Sequence, residues 1–284
     1  MVVGTNNLHR LARLNYFKHV PDLVVVGGNG FIGRAVCRIA AQSGLLPVSL
    51  SVDPSPPVYS VDDSANNSWV TRTQWRIGDA TKPSSWDQTV VEAGCSAMVY
   101  ATKTVYRNNK RFWECNYEGA LQSIEMARKM HASRFIFIST NFAPPLVTRT
   151  EWNTKNRAEK TLIEYCKMSQ STDSPISLSI LKPGWVYGSD RIFSSVIGLS
   201  CHYLFDHDCK KQPPCNLSSI SVQTLAMAAA CQAVDPGLSP IVKLCNEQLQ
   251  IYNDPKAQQW LETMAERIYN RKEASCSSYD YEAF

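Results

Sequence analysis

The first regular pattern in the chain is four consecutive apolar residues, Leu23-Val24-Val25-Val26, closed by a glycine. So short a run, rich in β-branched residues and bounded by a turn signal, predicts a strand buried on both faces. A different period takes over at once, with Ile32, Val36, Ile39 and Ala40 recurring at the three-and-four spacing of a helix face. The alternation then repeats. Strands are predicted over 47–52, 97–101, 134–139 and 176–181, and residues 75–80 read as a third strand and its exit. Helices are predicted between them over 84–92, with Trp86 turned inward, and over 111–130 and 152–168. Strands alternating with helices at this pace predict an α/β fold built on a doubly wound parallel sheet.

From Ser189 the alternation loses its regularity, leaving helices predicted over 224–233 and 257–271. The chain therefore reads as four parts. Residues 1–21 are a basic start, 22–188 the nucleotide-binding core, 189–273 a small C-terminal lobe completing the fold, and 274–284 a polar tail expected to be extended.

Charge and cysteine usage narrow the chemistry. The formal net charge is +4, too small to argue for nucleic acid, and no Lys/Arg block or aromatic-basic interleaving supports that partner. The 10 cysteines are scattered and read as reduced thiols rather than a disulfide framework. Cys201, His202, His207, Cys209 and Cys215 lie close in sequence, but without a C-x-x-C pair no metal is expected there. No apolar run is long enough to span a bilayer. The first 21 residues carry His9, Arg10, Arg13, Lys18 and His19 and no acid before Asp22, with Leu8, Leu11, Leu14 and Phe17 near helical spacing. Such a start resembles a mitochondrial presequence; the other reading is a surface tail before the first strand.

The candidate chemistry starts at the glycines. Gly27, Gly30 and Gly33 follow the first strand and open the first helix, the context in which a glycine pattern marks a phosphate site. Gly27 frees the turn, Gly30 lets backbone N–H groups approach a pyrophosphate, and Gly33 lets the helix lie close on the sheet. Asn29, Phe31, Ile32 and Arg34 flank the same turn. Asp53, twenty residues after Gly33, is placed to accept from ribose hydroxyls, which favours NAD(H), whereas Arg34 suits the phosphate of NADP(H). Asp79 and Ala80 are expected against the adenine, and Ala101, Thr102 and Lys103 over the second phosphate and nicotinamide ribose.

These pieces together resemble the extended, atypical short-chain dehydrogenase/reductase family over about residues 22–250. The resemblance rests on six stretches. They are Gly27-Gly28-Asn29-Gly30-Phe31-Ile32-Gly33, Gly78-Asp79, Asn116-Tyr117-Glu118-Gly119, Phe137-Ile138-Ser139, Lys155 with Ala158-Glu159, and Leu181-Lys182-Pro183-Gly184-Trp185-Val186-Tyr187-Gly188. It implies a Rossmann-type sheet and a bound NADP(H) or NAD(H), with Ser139, Lys155, Pro183, Gly184 and Val186 at its nicotinamide end. Active members use Tyr-x-x-x-Lys, the lysine lowering the pKa of a tyrosine that moves the proton. Here Glu151 stands four residues before Lys155, and no tyrosine lies between Asn141 and Glu164. A carboxylate has no proton to donate at neutral pH and repels a developing oxyanion. No catalytic residue is therefore assigned; Ser139 and Lys155 are remnants of the site, and Tyr106 and Tyr187 are the candidate substitutes.

Within the family the chain resembles two mitochondrial branches, the accessory subunit of respiratory complex I and a protein of ubiquinone biosynthesis. The first implies NADPH as a structural ligand. It also implies other subunits of an inner-membrane complex as partners, peripheral association on the matrix side, and no turnover. The alternatives are the ubiquinone-biosynthesis protein, or a reductase or epimerase with an atypical proton donor.

Overall fold

The computed structural model describes residues 20–58, 68–102, 109–141, 149–188 and 219–279. Chain order in the first half is β1 (Leu23–Val26), α1 (Phe31–Gln42), β2 (Pro47–Ser51), α2 (Ser68–Arg72), β3 (Gln74–Ile77), α3 (Gln88–Ala93) and β4 (Ala97–Tyr100). A long helix follows in three pieces, α4 (Asn109–Trp113), a π-helical turn (Glu114–Glu118) and α5 (Gly119–Lys129). Then come β5 (Arg134–Ile138), α6 (Arg149–Ser169), β6 (Ser177–Lys182), β7 (Trp185–Tyr187), β8 (Ser219–Ser221), α7 (Val222–Val234), β9 (Ile241–Cys245), α8 (Asn246–Leu249) and α9 (Pro255–Tyr279).

Seven strands form one parallel sheet in the order β3-β2-β1-β4-β5-β6-β9. The chain winds outward from β1 to β3, then returns to β4 on the other side of β1, so Val26 aligns with Leu50 on one side and Tyr100 on the other. This reversal opens a crevice beyond the carboxyl ends of β1 and β4, the usual ligand position in such sheets. Alternation along the strands divides the core. Leu23, Val25, Val99 and Ile136 pack with α1, α7 and α9, while Val24, Val26, Met98, Phe135 and Phe137 pack with α3, α5 and α6.

The last third completes this core. β9 is the seventh strand, paired with β6, and α7 packs on α1 with most of its residues buried. β9 escapes the sequence pattern because it is a half-buried edge strand with Lys243 at its centre. One other expectation is refined and one corrected. β3 ends at Ile77, because the Asp79 carboxylate accepts from the Thr81 N–H and hydroxyl at 2.9 and 2.8 Å and turns the chain. Residues 274–279 are helical rather than extended, since α9 continues to Tyr279 through strong helix formers such as Arg271, Lys272, Glu273 and Ala274.

Two contacts fix the start of the sheet. Gly33 lies so close to the glycine turn that a Cβ there would stand 2.2 Å from the Gly27 carbonyl oxygen and 2.7 Å from the Gly28 Cα. At the other end of β1, Asp22 is buried, with Oδ2 accepting from the Leu46 N–H at 2.9 Å and Oδ1 from Lys272 Nζ at 2.6 Å. Lys272 Nζ also donates to the Val20 carbonyl at 2.6 Å, so α9 clamps the entry to β1.

Gly33→Ala is expected to lower stability by at least about 1–3 kcal/mol, because backbone must move to admit the methyl. Lys272→Met is expected to cost about 3 kcal/mol, the low end for breaking a buried pair, since the lysine side chain keeps 20% exposure. Urea denaturation of both variants checks this; an unchanged midpoint contradicts the packing described.

Candidate functional site

The crevice at the strand ends is a cleft of about 400 Å³ lined by Val26, Gly27, Ser51, Val52, Gly78, Asp79, Ala80, Thr81, Lys82, Thr102, Arg111, Glu114 and Cys115. It thus gathers the exits of β1 to β4 and one face of the helix that follows. Its size falls in the range of small-molecule sites.

Gly27 leaves β1 with φ +82, a conformation that favours glycine, and donates its N–H to the Leu50 carbonyl at 2.8 Å. A Cβ at Gly27 would come within 3.1 Å of the Thr102 backbone, so the glycine keeps the bottom of the cleft open. Gly30 is the N-cap of α1 with no side-chain cap, and the first turn holds no acidic residue. An uncapped helix N-terminus is a ready anion site, and this one begins four residues after Gly27, which lines the cleft; it fits the pyrophosphate of a dinucleotide. Phe31 and Ile32 pack against the core on the α1 side, and the Phe31 ring lies where a Cβ of Gly188 would approach within 3.2 Å.

Asn29, expected to touch the cofactor, is a strut. Its N–H donates to Ser51 Oγ at 2.9 Å, and its Nδ2 donates to the carbonyls of Asp53 and Ser55 at 3.2 and 3.0 Å. Its Oδ1 accepts from Arg34 Nε at 2.8 Å. One amide therefore ties the turn to the exit of β2 and fixes the Arg34 guanidinium. Asp53 is exposed, and its carboxyl is held below the usual range by hydrogen bonds from the Ser55 side chain and N–H, with the Arg34 charge adding to this. Both residues proposed from sequence to sense the ribose thus stand at the same edge.

Asp79, Ala80 and Thr102 line the cleft as expected, and Ala101 is buried with its N–H on the Val26 carbonyl. Lys103, Tyr106, Cys201, His202, His207, Cys209 and Cys215 lie outside the described residues. Among the described residues no group of three or more His, Cys, Asp or Glu is placed to hold a metal ion.

The second half of the site is at the ends of β5 and β6. Ser139 and Lys155 are both buried, at 4% and 6% exposure. The Ser139 hydroxyl donates to Glu159 Oε1 at 2.5 Å, and Lys155 Nζ donates to the Ile138 carbonyl at 3.1 Å. Glu159, one turn beyond Lys155 on α6, also pairs with Lys182 at 2.9 Å and Lys243 at 3.8 Å. This buried carboxylate joins α6 to the ends of β5 and β6 and to β9, a role its sequence position alone does not disclose. Glu151 occupies the place on α6 one turn before Lys155, half-buried. Pro183 accepts from the Asn141 N–H at 2.8 Å, and the Gly184 N–H donates to Asn246 Oδ1 at 2.8 Å, so α8 holds the loop after β6. Val186 belongs to the core, and Tyr187 sits beside it on β7 facing Ser221 across the small second sheet. Asn246 on α8, Arg111 on α4 and Glu114 at the start of the π-helical turn are site residues that the sequence pattern does not reveal, since no spacing rule places an intervening or distant helix beside the strand ends.

The comparisons with known proteins agree with this architecture. Among solved structures, a short chain dehydrogenase family protein from Francisella tularensis superposes with a TM-score of 0.55 at 14% identity, covering 82% of this chain and 100% of that one. Sorbitol-6-phosphate 2-dehydrogenase from Erwinia amylovora superposes with a TM-score of 0.56 at 15% identity, covering 80% and 98%. At such identities the likeness concerns the fold. By sequence, an uncharacterised chloroplastic protein of Arabidopsis thaliana is 27% identical over 173 residues, 60% of this chain and 52% of that protein. MIOREX complex component 2 of Saccharomyces cerevisiae is 35% identical over 69 residues, 24% of each chain. The chain thus spans about half the length of the first of these relatives and a quarter of the second. The sequence profile of the NAD dependent epimerase/dehydratase family matches residues 23–189, and the chain belongs to that family.

Proposed function

We propose that the chain is a dinucleotide-binding accessory protein of a mitochondrial assembly in quinone-linked metabolism, without oxidoreductase turnover of its own. The observation that carries this reading is Glu151 in the place of the tyrosine, above a Ser139 hydroxyl already given to Glu159. A nicotinamide bound there supplies a hydride; the chain must supply the proton. Lys155 is positioned to hold ribose hydroxyls, and a glutamate rather than a tyrosine stands one turn before it on α6. The glycine turn and the uncapped start of α1, in contrast, retain what pyrophosphate binding requires. Binding without turnover makes the dinucleotide a structural ligand, stabilising the fold by mass action.

The assembly reading is supported by the presequence-like start and by the partial match to a named complex component. Of the two resembling branches, the accessory subunit of complex I is the primary reading, on the matrix side of the inner membrane, held there by protein partners. No described helix is long and apolar enough to cross a membrane. The ubiquinone-biosynthesis branch is the second reading; the partial match to a complex component supports an assembly without separating the two.

Native separation of gently solubilised mitochondrial membranes, with mass-spectrometric location of this chain, tests the assignment. Co-migration with complex I subunits is expected; migration with quinone-biosynthesis proteins moves the assignment to the second branch, and migration alone contradicts both. In isolation, NADPH or NADH at about 100 Kd is expected to raise stability by about 2.7 kcal/mol. Ketones and aldehydes are expected to leave the reduced nicotinamide absorbance unchanged.

A further inference from the structure

The long helix between β4 and β5 is interrupted at one place, the π-helical turn Glu114–Glu118, and the interruption has a structural cause. Tyr100, buried at the end of β4 against Phe135 and Phe137, donates its hydroxyl to the Cys115 carbonyl. Gly119 makes room for it, since a Cβ there would lie 2.6 Å from the Tyr100 hydroxyl oxygen. Asn116 Nδ2 donates to the Phe112 carbonyl at 2.9 Å, so the altered register leaves that carbonyl satisfied as well. Such turns interrupt helices mostly at functional sites. This one begins where the helix forms part of the cleft wall, through Arg111, Glu114 and Cys115.

Arg111 and Glu114 are three residues apart and share a helix face. A guanidinium only donates hydrogen bonds and a carboxylate only accepts them, so the wall offers a donor beside an acceptor. Adenine carries the complementary pair, a ring nitrogen that accepts beside an amino group that donates. On the edge that carries this pair, hypoxanthine has a carbonyl in place of the amino group and a proton on the neighbouring ring nitrogen N1, and so reverses both. The rival acceptor, Asp79, has Oδ1 taken by the Thr81 N–H and hydroxyl, whereas Glu114 Oε1 stands 4.0 Å from Lys110 Nζ in an exposed ion pair.

The geometry points to Arg111 and Glu114 as the residues that read the adenine base of the dinucleotide, with Tyr100 as the positioning residue that sets them in the cleft. This rests on the dinucleotide-binding reading above and deepens it, because the glycine turn recognises phosphate and is indifferent to the base.

Calorimetric titration of the full chain with AMP and with IMP tests the inference. Wild type is expected to bind AMP about tenfold more tightly than IMP, the worth of one charge-assisted hydrogen bond. Arg111→Gln and Glu114→Ala are each expected to weaken AMP about tenfold and to leave IMP within about twofold, collapsing the preference. Tyr100→Phe is expected to reduce the AMP preference in the same direction at a temperature where circular dichroism shows the variant fully folded. A purely structural tyrosine would lower the melting temperature and leave that ratio alone. Lys129→Gln, exposed at the far end of α5 and not in the cleft wall, serves as the control and is expected to bind like wild type. If wild type binds AMP and all three variants keep its preference over IMP, the inference is overturned and the dinucleotide reading stands. If wild type binds neither AMP nor a dinucleotide, the reading and the inference fall together.

Discussion

The contact between Gly33 and the backbone of Gly27 and Gly28 governs the rest of the molecule. A methyl group does not fit between them. Because it does not, α1 begins immediately beside the end of β1 and lies flat along the sheet. That closeness sets the start of the helix beside the end of β1, where the sheet order reverses. It also brings Val36 and Ala40 into the layer that α7 and α9 complete. The phosphate-binding geometry and the packing of one whole face of the sheet are thus consequences of the same missing side chain. Asn29 extends the constraint sideways, its amide joining the turn to Asp53 and Ser55 beyond β2 and its oxygen holding Arg34.

The two halves of the crevice differ in chemistry. On the side of β1 to β4 there is a turn, an uncapped helix end and a wall of charged side chains, all suited to holding an anionic nucleotide. On the side of β5 and β6 the polar groups are turned inward to one another. Glu159 is a buried carboxylate, and such a group is tolerated only with partners. Ser139, Lys182 and Lys243 supply them, and in doing so they lock the ends of β5 and β6 and the edge strand β9 to α6. Ser139 and Lys155 both hydrogen-bond within the protein, and Glu151 stands one turn before Lys155 on α6.

The sequence made the parallel sheet legible because buried parallel strands are continuous apolar runs, and Leu23–Val26, Ala97–Tyr100 and Phe135–Ile138 are such runs. It made the phosphate turn legible because only glycine satisfies its backbone. β9 was hidden because an edge strand carries a charge at its centre and buries little. The π turn was hidden because its cause, Tyr100, lies on a different element and touches the helix through a backbone carbonyl that no residue pattern encodes. Asn29 was legible as a turn residue but not as a strut, since a side chain's partners come from the fold rather than from its neighbours in the chain. Glu159 stood in a family motif, yet its lysine partners are 23 and 84 residues away and meet it only when β6 and β9 pair.

The central claim is that this fold holds a dinucleotide it does not turn over. The most direct measurement is to isolate the protein natively, release its bound nucleotide, identify it by mass spectrometry, and follow its redox state as carbonyl compounds are added before release. The account predicts a near-stoichiometric adenine dinucleotide whose redox state does not change. Protein isolated without nucleotide, or nucleotide oxidised in step with loss of a carbonyl compound, would contradict it.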